Sequence, residues 1–384
     1  MASFDFDQPV ERAGSDSMKW SKYPAGVLPL WVADMDFAVP PPVLEALHQR
    51  IDHGVFGYNL PTASQTGSVV TYLERKFDWA VEPEWIVWLP GLVSGLNVTC
   101  RAVGEPGDAV FTATPIYPPF LSSPVNSGRR VASLPLVRDS AGWLWDFPGV
   151  DGVLKGSQAK LFLLCHPHNP TGRVWTEDEL WQIAALAEKH DLVVCSDEIH
   201  NGLVLDPGCR HSVLASLSPE VAARIITLMA PSKTFNIPGL GAAFAIISNP
   251  ALRRRFRAAM SGIVPHVNAL GMVATEAALR QCDDWHAALL DYLRGNARAV
   301  ERAVAALPGL DMRPIEATYL AWIDARDFAA DHGITNPAKY FEQHGVGLSD
   351  GADFGAPGFV RLNFGTRRAL LDEALERLAR ATST

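Results

Sequence analysis

The chain has 384 residues, 48% hydrophobic and 20% charged, enough to bury the core of one large domain or two ordinary ones. It has no apolar run approaching the roughly eighteen residues of a membrane span, and its formal charge of -9 comes with no basic run, so neither a membrane nor a nucleic-acid partner is expected. Five cysteines stand singly, without a C-x-x-C pair, which argues against a disulfide framework or a metal site and makes them core filler.

In chain order, the first residues, "MASFDFDQPVERAG", show no basic segment followed by an apolar one, so cytoplasmic residence is expected. Residues 1–45, rich in Pro and Trp, read as an extended arm packing with the small C-terminal domain. Residues 46–275 read as a large domain. There, "LPGLVSGLNV" places small residues at a helix start, where the free N–H groups of Leu92, Val93 and Ser94 suit an anion. The apolar run "DAVFTA" is followed by "TPIYPPF", which carries Tyr117. Four further runs read as buried strands: "KLFLLC" (160–165), "DLVVCS" (191–196), "RIITLM" (224–229) and "GAAFAII" (241–247). Between the first two, Thr176 and Glu179 form a capping box for a helix whose apolar face is Leu180, Ile183, Ala184 and Ala187. This alternation predicts an α/β fold, a mostly parallel central sheet flanked by helices. Beyond about residue 275, long Ala/Leu/Arg helices and short strands at "ATYLAWID" and "GFVRLNF" predict a smaller α+β domain over 276–384.

Ligands of α/β sheets sit beyond the carboxyl ends of the strands. There "HPHNPTG" delivers Asn169, "DEIHNG" delivers Asp197 and His200, and "APSKTFN" delivers Ser232 and Lys233. An amide, a carboxylate and an amine on consecutive strand ends suit pyridoxal 5′-phosphate. The lysine would hold its aldehyde, the carboxylate its protonated ring nitrogen and the amide its ring oxygen. Tyr117 would stack on the ring, and Ser232 would add a hydroxyl at the phosphate. His166, His168 and His211 read as turn or core histidines, and 206–211 as a plain loop.

The strings "LPLWVADMDFAVP", "FGYN", "PIYPPF", "HPHNPTGRVW", "SDEIHNGLV", "APSKTFNIPGL" and "GFVRLNFGT" run almost end to end. Through them the chain resembles fold-type I pyridoxal-phosphate enzymes of the aminotransferase class I/II superfamily, and within it the MalY/PatB-like carbon–sulfur lyases. The resemblance implies that Lys233 holds the cofactor, Asp197 and Asn169 its ring, and His200 a place beside it, where general aminotransferases more often carry tyrosine. It also implies that Arg361 grips a substrate carboxylate, that Ala33 and Asp34 lie beside the substrate, and that Tyr58 reaches the phosphate of the other subunit of a homodimer. One departure is Gly241, eight residues after Lys233, where many aminotransferases have a phosphate-binding arginine.

The expected activity is β-elimination of L-cystathionine or a related cysteine S-conjugate to pyruvate, ammonia and a thiol. Lys233 would remove the Cα proton, and Tyr58 or Tyr117 would assist proton transfer to the leaving thiol. Two alternatives share these residues: an aminotransferase with a keto-acid acceptor, and a regulatory protein-binding role on the same fold.

Overall fold

The apolar runs of the sequence assemble into a seven-stranded sheet in the computed structural model, which describes residues 4–140 and 142–383. Across it the strands lie in the order Ile86–Leu89, Ala243–Ile246, Ile225–Met229, Val193–Asp197, Leu161–Cys165, Ala109–Thr114 and Arg130–Pro135. Ala243–Ile246 runs antiparallel to both of its neighbours, and the other pairings are parallel. The central strand Leu161–Cys165 is buried at every residue, as its unbroken apolar run requires of a strand covered on both faces. Two clusters of buried apolar side chains account for the two faces, one holding Phe162 and Leu164 and the other Leu161 and Leu163.

The helix Glu177–Lys189 starts at the predicted capping box, with the Thr176 hydroxyl accepting from Glu179 N and the Glu179 carboxylate accepting from Thr176 N. A second, antiparallel sheet has the order Asp311–Met312, Leu320–Asp324, Phe359–Asn363, Ser349–Asp350. The helix Asp283–Ala305 packs on it and on the C-terminal helix Arg368–Thr382. The helix Ala269–Gln281 runs through the expected division at 275/276 and packs against Pro41–Asp52 and Ala63–Phe77. Near the N-terminus, Leu28–Pro29 pairs in parallel with Val346–Gly347, and the chain then crosses between the two sheets through residues 30–37. All five cysteines are free, and Cys209 alone among them is partly exposed. No helix among the described residues is long and apolar enough to cross a membrane.

Candidate active site

Because the parallel strands share a direction, their carboxyl ends form one rim, and the loops leaving it converge on a cavity of about 270 Å³. Asp197 closes its strand, Asn169 follows Cys165 in a turn, and Ser232 and Lys233 follow Met229. The antiparallel strand reaches the same rim with its first residues, so Ala242 and Ala243 join the wall.

Of the charged groups of this cavity, Asp197 and Arg361 are buried and Lys233 partly so, and none has an ion-pair partner among the described residues. The Lys233 amine donates to the carbonyl of Ala33 at 2.6 Å. Burial lowers its pKa to about 8, opposed by Asp34 and Asp197 and reinforced by Arg361. Burial raises the Asp197 carboxyl to about 7, although one of its oxygens accepts from Ile199 N at 3.1 Å. The Arg361 guanidinium, pushed down to about 10 by burial, lies over the Phe354 ring with 4.6 Å to its centroid. It donates from Nη1 to Asn169 Oδ1 and from Nη2 to the Trp31 carbonyl, each at 2.9 Å, while Nε has no partner. Among the described residues, no opposite charge lies within ion-pair reach of Lys233, Asp197 or Arg361. His200, driven to about 3 by burial with Lys233 and Arg361 adding to it, is neutral and leaves Nδ1 unpartnered.

Leu92, Val93 and Ser94 form the first turn of the helix Leu92–Ala102 and line the cavity. Gly91 supplies no side-chain cap, which leaves the N–H groups of that turn outside the helix ladder. Ser232 and the partly buried Tyr117 also line the cavity, and Tyr117 is anchored by its N–H to the Asn169 carbonyl at 3.2 Å. Gly241 has φ +56°, and a Cβ there would meet the Pro90 carbonyl at 3.2 Å, so the backbone suits glycine better than a long side chain.

Two expected positions lie elsewhere. Asp34 does not line the cavity; its Oδ2 pairs with Arg12 at 2.8 Å, because the chain turns its carboxylate toward the arm. Tyr58 is fully exposed on a loop and outside this chain's own cavity.

Glu198, Asn236, Asn363 and Tyr319 were not among the expected site residues. Glu198, next to Asp197, is completely buried; it accepts from Ser196 Oγ at 2.8 Å, and its other oxygen lies 2.8 Å from His211 Nε2. His211 stacks on His166 with 4.3 Å between ring centroids, so the segment 206–211 is tied into the core at its end. Burial pushes the carboxyl up and the imidazole down, so the contact is a hydrogen bond to a neutral ring. Asn236 and Asn363 clamp the 30–37 segment, and Tyr319 reaches the Ala33 carbonyl at 3.0 Å. The available signal was polar residues beside motif residues, as in "SDEIH" and "SKTFN".

A parallel-sheet rim carrying an amine, a carboxylate and an amide, faced by a guanidinium from the second sheet, is the site of an α/β enzyme that handles a small polar ligand. Residues 26–378 match aminotransferase class I and II, and the chain belongs to that family. Cystathionine β-lyase PatB of Bacillus subtilis (strain 168) is 36% identical over 391 residues, covering 99% of this chain and 100% of the relative. The crystal structure of OvoB superposes with a TM-score of 0.96 at 46% identity, over 99% of this chain and 100% of that one. Cystalysin from Treponema denticola, whose crystal structure contains pyridoxal 5′-phosphate, gives 0.93 at 33% identity, over 100% and 99%. The fold is that of fold-type I pyridoxal-phosphate enzymes.

The residues present fit that cofactor. A ring nitrogen would give Asp197 its counter-charge, an aldehyde would engage Lys233, and a phosphate would meet the free N–H groups at Leu92–Ser94. A substrate carboxylate would satisfy Arg361.

Proposed function

We propose that this protein is a pyridoxal-phosphate-dependent carbon–sulfur β-lyase that cleaves L-cystathionine or a related cysteine S-conjugate to pyruvate, ammonia and a thiol. The observation that carries the reading is the convergence of Lys233, Asp197 and Arg361, each without a counter-charge, on one cavity. It occurs in a chain that aligns over nearly its full length with a cystathionine β-lyase.

When bound, pyridoxal phosphate supplies an electron sink for the pair left when the substrate loses its Cα proton. Lys233 Nζ would hold the cofactor and is the amine placed to take that proton. In the cofactor-free chain a pKa of about 8 leaves part of this amine as free base at neutral pH. Asp197 would keep the ring nitrogen protonated, while Asn169 would bind the ring oxygen from the adjoining strand end. Tyr117 and His200, a neutral imidazole, line the space the ring would take. Leu92, Val93, Ser94 and Ser232 would hold the phosphate. Arg361 orients the substrate through its α-carboxylate with two parallel hydrogen bonds, and the Ala33 carbonyl borders the same space. Loss of the thiolate from Cβ would leave aminoacrylate, whose hydrolysis gives pyruvate and ammonia.

The active unit in this reading is a cytoplasmic homodimer, with an N-terminal arm (1–45), a large domain (46–275) and a small domain (276–384). Exposed apolar side chains at Val55, Phe56, Tyr58 and Leu60 support it, with Tyr58 reaching the second subunit's phosphate. Cofactor-loaded protein assayed on L-cystathionine should release pyruvate, ammonia and thiol without 2-oxoglutarate. Product that appears solely with the keto acid, accompanied by glutamate, would identify an aminotransferase instead.

A further inference from the structure

We propose that Tyr319 is a positioning residue for Lys233, acting through the carbonyl oxygen of Ala33. The inference rests on Lys233 being the reactive amine, as proposed above, and begins from the segment Leu30–Met35, in which successive backbone carbonyls are held by other parts of the chain. Asn363 N donates to the Leu30 carbonyl, Arg361 to Trp31, and Asn363 Nδ2 to both Val32 and Asp34. Asn236 Nδ2 donates to Met35 and Phe37, while its Oδ1 accepts from Met35 N.

Within this strap the Ala33 carbonyl receives two side-chain donors, Lys233 Nζ at 2.6 Å and Tyr319 Oη at 3.0 Å. A carbonyl oxygen has two lone pairs, so both are occupied. Tyr319 is 1% exposed, and burial raises its pKa well above the ordinary value, so it stays a donor throughout the working pH range.

A second observation comes from the backbone before it. Thr318 is a fully buried β-branched residue at φ +73°, a strained conformation that is kept where the surroundings enforce it. Here Thr318 N donates to the Leu203 carbonyl at 2.8 Å and Leu320 N donates to Thr318 Oγ1 at 3.1 Å, fixing the residue that aims Tyr319. The hydroxyl thus takes one of the two lone pairs of the Ala33 oxygen, and that oxygen is the resting partner of the free amine.

The groups facing Lys233 are Asp34 on the strap, Asp197 and His200 on the neighbouring strand end, and Arg361 on the second sheet. Tyr319→Phe leaves all of them and removes one donor from Ala33. The freed carbonyl accepts more strongly from the ammonium form, so the titration midpoint of Lys233 should rise by roughly half a pH unit.

The test is site-resolved reductive methylation of Lys233 in the cofactor-free full chain across pH, read by mass spectrometry with the exposed Lys189 as internal reference. The expected result is an upward shift in Tyr319→Phe. In the loaded enzyme, kcat at pH 7 should fall roughly threefold, the same half unit expressed as free-base fraction, with KM unchanged. A Lys233 curve coincident with wild type, or displaced downward, would overturn the proposal and leave Tyr319 as core packing, whatever the thermal transition does. Tyr319→Met serves the same measurement should the phenylalanine variant not accumulate. Because methylation needs no turnover, failure of the lyase reading would appear separately, as absent pyruvate with the methylation shift intact.

Discussion

Arg361 and Asn169 meet across the two sheets, Nη1 of the guanidinium donating to Oδ1 of the amide at 2.9 Å. The group proposed to hold the substrate carboxylate is thereby aligned by the group proposed to touch the cofactor ring. Arg361 sits mid-strand, paired with Trp322 on one side and Ser349 on the other, so its backbone has little freedom and the amide orients its planar head.

Arg361→Lys should raise KM for the sulfur amino acid roughly 10- to 100-fold, because an ammonium cannot reproduce two parallel hydrogen bonds from one plane. The cofactor's absorbance should not change. Steady-state kinetics with an unaltered KM would remove Arg361 from the substrate site.

Borohydride treatment of the loaded protein, followed by peptide mass analysis, should find the cofactor's mass on the peptide containing Lys233. Lys233→Ala should carry none, and turnover should fall by roughly a thousandfold or more, as expected when the proton acceptor is lost. Cofactor fixed to another lysine in the wild type would refute the assignment.

For Asp197 the prediction concerns stability against pH. Its carboxyl is raised in the folded, cofactor-free chain from 3.8 to about 7. Between those values the folded state binds more protons at this site than the unfolded state does. The contribution is complete below the ordinary value and is lost as pH rises through 7. Asp197→Asn cannot titrate, so the wild type should lose stability relative to it by an amount on the order of 2–4 kcal/mol between pH 4 and pH 8. Chemical denaturation at the two pH values measures this difference; equal gaps would mean the buried carboxyl does not titrate in that window. With pyridoxal phosphate bound, a cationic ring nitrogen should close most of the gap.

Glu198→Ala should destabilise the fold by roughly 3 kcal/mol or more, since it strips Ser196 Oγ, Leu214 N and His211 of a shared buried acceptor. Glu198→Gln should cost less, because an amide oxygen can still accept. A denaturation midpoint unchanged in the alanine variant would show that water replaces the carboxylate.

How legible each part was in the sequence follows from the range of the forces involved. The strands Leu161–Cys165, Val193–Asp197 and Ile225–Met229 could be read from unbroken apolar runs, with ends displaced by one or two residues. Their shared direction put Asn169, Asp197 and Lys233 on one rim, so three of the site's polar groups came from local pattern plus one topological rule. Arg361 lies in an equally apolar run of a second sheet, and no local signal tells where that sheet docks. It was reached through family resemblance. The strap was invisible for another reason: Ala33 contributes a carbonyl, which every residue has, and its partners are 200 and 286 positions away. Glu198 was overshadowed by Asp197, because acidic neighbours at a strand end face opposite sides and one of them must find its partners in the interior.

The residues that hold the strap have a mechanical consequence. Asn363 and Arg361 belong to the four-stranded sheet, whereas Asn236 and Lys233 belong to the loop leaving the seven-stranded one, and both pairs grip the same few peptide units. The strap therefore works as a drawstring between two plates. The amine and the guanidinium are thereby tethered to neighbouring peptide units of one cord rather than to separate parts of the molecule.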